Sequence, residues 1–149
     1  MYEYANSRYK CLAQELIDAD PFTLGHIDPS TIEFFTKEEK TPKRAFRIEA
    51  IREPYVMMTH KSYIIIVSEV LIDDMSREHM ELHMYRVLRQ IDKESGRIVP
   101  PDVIEFSDII DLFGYDWQDK TILPSILDQL NARTVANALT QDNESEKAS

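Results

Sequence analysis

The sequence predicts an α+β domain, a small mixed sheet packed by helices. Three observations predict it. Runs at residues 31–36, 45–51 and 62–72 are β-branched, aromatic or alternating, as strands are. Segments near each end of that region repeat apolar residues at helical spacing. The chain has 149 residues, which suits one domain. The expected limits are a globular unit over 1–139 and a polar, disordered tail over 140–149.

The elements follow in order. Tyr9, Leu12, Ala13, Leu16 and Ile17 define a helix over Ser7–Ala19. Asp20-Pro21 ends it, because the residue before proline avoids helical backbone. Cys11 is the only cysteine, so no disulfide can form within the chain, and a reduced intracellular setting is expected. Beside Leu12, it reads as a buried, inert thiol. Asp28-Pro29-Ser30 reads as a turn. The strands at 31–36 and 45–51 are joined by a charged loop or hairpin tip. That connection carries the chain's basic cluster of Lys40, Lys43, Arg44 and Arg47, read as a solvated surface. The strand at 62–72 contains Tyr63-Ile-Ile-Ile-Val67, apolar on both faces, which places it centrally in the sheet.

Ser76 is a good N-cap for a helix over 77–92, helped by Glu78 in its first turn. Met80, Met84, Val87, Leu88 and Ile91 fall within an arc of about 100°, a stripe that faces a core. Gly96 punctuates the segment that follows. Asp102 and Glu105 form a capping-box pattern at the start of a further helix, whose buried stripe is Phe106, Ile109, Ile110 and Phe113. A last helix is expected over 125–139.

Charge narrows the function. The net charge is -10, from 27 acids and 17 bases. Residues 101–149 hold 10 of those acids and only 3 of the bases. That balance argues against direct nucleic-acid binding, which needs cations to release counterions. The apolar runs fall far short of the roughly 20 residues that span a bilayer, and the first residues have no signal-peptide pattern, so no membrane partner is expected. The glycines are scattered, without a phosphate-binding loop or a Gly-x-Ser-x-Gly elbow.

His79-Met80-Glu81-Leu82-His83 places two imidazoles at i and i+4 on one helix face, a spacing that can bind zinc. Glu81 lies about 200° from His79 around the helix, on the wrong side to serve as a base. The layout as a whole runs helix, strand, charged connection, strand, apolar strand and amphipathic helix. A Gly-containing turn, Asp102-Val-Ile-Glu-Phe106 and a helix ending before Tyr115-Asp116-Trp117 complete it. Over about residues 1–117 this layout resembles the putative phage metallopeptidase family, a zincin-like group. The resemblance implies a zincin-like scaffold, a His-Glu-x-x-His motif on the long helix and a third His before the Asp-Val-x-Glu-Phe segment.

Leu82-His-Met-Tyr85 resembles the lead into that motif. The motif positions themselves then hold Arg86 for the first His, Val87 for the Glu and Gln90 for the second His, with Pro101 at the third His. Arg, Val and Pro supply neither a metal donor nor a base. The reading that follows is a phage- or prophage-type protein without cofactor or catalytic residues. It would act on a host or phage protein in the bacterial cytoplasm and could inhibit a host factor.

The alternative is a metal-dependent peptidase with zinc relocated to His79 or His83 and Asp102 or Glu105. Arg86 could instead pair with Asp102 or Glu105, replacing the charge of the metal. Asp111, Tyr115, Asp116, Trp117 and Asp119 form an aromatic-acidic candidate for partner binding, with a Trp117 folded into the core as the other option.

Overall fold

The computed structural model describes residues 2–39, 41–99, 117 and 125–131. Four strands form one mixed sheet: β1 (Tyr2–Tyr4), β2 (Ile32–Lys37), β3 (Phe46–Ala50) and β4 (Tyr63–Val67). Their spatial order is β1-β2-β4-β3. β2 and β4 run parallel, and the two outer pairs are antiparallel. The helices are α1 (Ser7–Ala19), α2 (Pro21–Leu24), α3 (Tyr55–Thr59), α4 (Glu69–Asp73) and α5 (Arg77–Leu88), with a further helical segment over 126–131. An α+β fold with a small mixed sheet is therefore present. Among the described residues, no helix is long and apolar enough to cross a membrane.

α1 has the expected bounds. The Asn6 side chain caps it, accepting from the Arg8 N–H at 2.9 Å, and the five expected apolar positions are buried. Cys11 is a correction: it is exposed, because one step before Leu12 turns it about 100° away from that residue. Asp20-Pro21 does more than stop α1. Asp20 caps α2 by accepting from the Thr23 N–H, and Pro21 supplies the preset first-turn backbone.

The sheet corrects two further expectations. β4 lies between β2 and β3, so residues 38–45 are not a hairpin tip. Residues 41–45 lie at the carboxyl end of β4, where the Ser68 N–H donates to the Ala45 carbonyl at 2.9 Å. The strand expected over 62–72 stops at Val67, and Val70, Leu71 and Ile72 belong to α4. A short apolar run serves helix or strand equally well, and the acidic Glu69 in the first turn favours the helix here.

Alternation sorts the sheet into two faces. Ile32, Phe34, Phe46, Ile48, Ile65 and Val67 point into the core beneath α1 and α5. Tyr9 of α1 meets Phe46 edge to face at 5.9 Å. The opposite face carries the cross-strand row Tyr4–Phe35–Ile66–Arg47 and the shorter row Glu33–Ile64–Glu49.

α5 starts as expected, with the Ser76 side chain accepting from the His79 N–H. It ends at Leu88, four residues before the expected limit. The reason is a local turn. The Asp92 N–H donates to Arg97, the Gly96 N–H donates to Asp92, and Ser95 binds the Asp92 carboxylate through both its N–H and its hydroxyl. Gly96 sits at φ 69°, where glycine is favoured, and its carbonyl accepts from the Tyr63 hydroxyl.

α5 is buried well beyond its apolar stripe. Leu82, Tyr85 and Glu81 are buried as well as Met80, Met84, Val87 and Leu88. Two separate sides of it meet later parts of the chain: Trp117 packs on His83, and the 125–131 segment reaches Glu81. The Ser125 hydroxyl donates to Glu81 at 2.7 Å, and Arg77 Nε lies 3.3 Å from the same carboxylate.

Tyr85 donates to the buried Asp20 carboxylate at 2.7 Å, tying α5 to the α1–α2 junction. Tyr85→Phe strips a bond from a buried carboxylate and is expected to cost about 1–3 kcal/mol in urea unfolding. A loss below a few tenths of a kcal/mol would show that the junction is held elsewhere.

Candidate functional site

α5 and the start of β3 enclose a cleft of about 290 Å³. Phe46, Leu71, Met75 and Val87 give it an apolar floor. His83 and Arg86 project from α5, and the exposed Lys43 and Arg44 complete the lining. The helix spacing explains the grouping, since 83, 86 and 87 lie three and four residues apart on one face.

His83 is mostly enclosed. Trp117 meets its ring at 4.9 Å with the planes 61° apart. Burial, helped by the charge of Arg86 and by His79, pushes the His83 imidazole down to about 4, so it is neutral at pH 7. His79 is buried one turn earlier, its Nδ1 2.6 Å from the Ser76 hydroxyl. The structure therefore brings Arg86, Val87 and His83 together in the cleft. Gln90 does not join them. It lies past the end of α5, with its carbonyl accepting from the Val99 N–H at 2.7 Å.

Pro101, Asp102, Glu105, Asp111, Tyr115, Asp116 and Asp119 lie outside the described residues. So do the expected helix start at Asp102 and most of the expected 125–139 helix. Trp117 is a correction to the partner-facing expectation. It is only 1 % exposed, and its ring is used against His83, so it takes the folded-in option.

A second feature was missed in the sequence. On the sheet face away from α1 and α5, Tyr4 stacks on Phe35 at 5.0 Å and Tyr2 meets the same ring edge to face. Phe35 and Ile64 floor a bowl of about 600 Å³ rimmed by Tyr4 and by Tyr55 of α3. Tyr4 is 76 % exposed and Tyr55 61 %, and Met57 and Met58 of α3 are also exposed. The Tyr-Glu-Tyr alternation at residues 2–4 and the apolar outer positions Ile64 and Ile66 were the signals available.

These features define an α+β protein in which helix α5 borders a cleft against an edge strand of a small mixed sheet. Residues 1–123 match the model of the family described as putative phage metallopeptidase, and the chain belongs to that family. Comparisons with curated proteins and with solved structures found no match.

The family name implies a metal, and the described residues do not fit one. Among them, no group of three or more His, Cys, Asp or Glu side chains could hold a metal ion. In the cleft, His83 is the one metal-donor type in the described lining, and Arg86 places positive charge beside it. Val87 offers no donor and no base.

Proposed function

We propose that this chain keeps the frame of its family without the metal chemistry and acts by binding a protein partner. The observation that carries the reading is the exposed aromatic-apolar face of the sheet, built on Tyr4, Phe35, Ile64 and Tyr55. Soluble proteins rarely leave such a patch open without using it. Tyrosines at its rim suit protein recognition, with a large apolar body and a polar tip.

The cleft supports the same reading. A peptidase of this kind needs three donors and a base, whereas Arg86 and Val87 stand beside His83. The partner is a host or phage protein met in the bacterial cytoplasm, and the effect on it is inhibitory.

Capture from a bacterial lysate tests this. The full chain is expected to retain a defined protein, and Phe35→Ser with Tyr55→Ser to lose it while remaining folded. Lys10→Ala, on the exposed side of α1, should leave capture unchanged. Retention of the same protein by the double variant, or no retained protein at all, would sink the reading.

One observation favours the alternative, a metal-dependent hydrolase with a rearranged site. His79 and His83 sit one turn apart, and His83 is neutral and so able to offer a lone pair. Metal content separates the two.

A further inference from the structure

The cleft beside α5 runs against the charge of the chain. Acids outnumber bases 27 to 17 overall. Yet Lys43, Arg44 and Arg86 all line this cleft, and no Asp or Glu does among the described residues. Lys43 and Arg44 have no ion-pair partner among the described residues. Their neighbours are engaged: Arg47 lies 3.5 Å from Glu39 and 3.6 Å from Glu49, and Lys37 sits 5.2 Å from the centre of the Tyr2 ring.

Lys43 and Arg44 also line a second cleft, of about 280 Å³, over the carboxyl end of β4. Residues 41–45 are thus a wall with cations available on either side. The apolar floor of the α5 cleft screens a charge less than open water does, which strengthens attraction for an entering anion. Neutral His83 adds a ring N–H donor.

We propose that the cleft between residues 43–46 and α5 is an anion site that takes a carboxylate side chain of an acidic peptide segment. The guanidinium of Arg44 matches a carboxylate in a planar, two-point contact, and Phe46 and Val87 receive the methylenes behind it. The cleft has room for one side chain and is not a track for a strand of phosphates. A net charge of -10 also repels a long polyanion before contact. The site rests on the reading that the cleft is free of metal.

The test uses the full chain and two fluorescein-labelled peptides, Leu-Glu-Glu-Leu-Glu and its Gln counterpart, followed by anisotropy. The Glu peptide is expected to bind, to weaken with added salt and to lose about tenfold in affinity in the Lys43→Ala, Arg44→Ala double variant. Both residues are exposed, so the variant should keep its fold. Equal binding of the Gln peptide, or unchanged binding by the double variant, overturns the site. Inorganic phosphate is the other arm. If it binds as tightly as the peptide, the cleft reads charge alone and the carboxylate assignment falls. Tighter binding of a DNA duplex overturns the peptide assignment too. Zinc in the protein would overturn the metal-free reading itself, whereas a zinc-free protein that ignores the Glu peptide overturns only the anion site.

Discussion

Trp117→Ala is expected to cost about 3–5 kcal/mol of unfolding free energy, the range for removing a large buried aromatic side chain. Trp117 is 1 % exposed and closes over His83 at 4.9 Å. Truncation leaves a cavity and loses an edge-to-face ring contact. It also admits water to His83, whose depression comes first from burial. Two readouts should therefore move together. Urea unfolding should show the loss, and NMR titration should place the His83 imidazole nearer 6.5 than 4. Trp117→Phe, which keeps a ring, should lose less on both. A cost below about 1 kcal/mol would mean that α5 is not sealed at His83 by this ring.

Acidification should destabilise the protein well before its carboxylates protonate. The unfolded chain protonates His83 near 6.5, and the folded chain only near 4. Between those values the unfolded state holds more protons, so stability falls as pH falls. By about pH 5 the loss should reach roughly 2 kcal/mol, tending to about 3 kcal/mol near the folded value. Asp28 and Asp92 do not confuse this window. Hydrogen bonds from Ser30 and Ser95 hold their carboxyls below the usual range, so their contribution disappears only at lower pH. Urea midpoints measured from about pH 7 down to about pH 5 should slope for the wild type and flatten for His83→Gln. The same slope in both proteins would remove His83 as the cause.

The helices were the most legible part of the sequence. Tyr9 to Ile17 and Met80 to Leu88 repeat at the helical period, and both stripes are buried in the core. The interior position of β4 was legible too, since Ile64-Ile65-Ile66 is apolar on both faces and the strand has neighbours on both sides. What escaped was set by contacts distant in sequence. β1 is three residues long and exists through pairing with β2. β2 and β3 look like a hairpin locally, but β4 fills the space between them. The end of α5 was decided by the Asp92–Ser95 turn, which competes for backbone groups that a helix would use.

The site divides along the same line. Helical spacing places His83, Arg86 and Val87 on one face, and the structure puts them in one cleft. Gln90 was drawn onto that face only by assuming a longer helix. The burial of Trp117 could not be read from its neighbours in sequence, because it depends on packing against α5. The basic cluster was visible, but its role was not. Only the strand order, with β4 between β2 and β3, brings Lys43 and Arg44 to the cleft wall.

Metal content measures most directly whether this family frame has lost its metal chemistry. Protein purified without chelator and dialysed against trace zinc is expected to carry no stoichiometric zinc, with His79→Ala and His83→Ala leaving the metal content unchanged. Stoichiometric zinc that disappears in either variant would contradict the metal-free reading and restore the metallopeptidase.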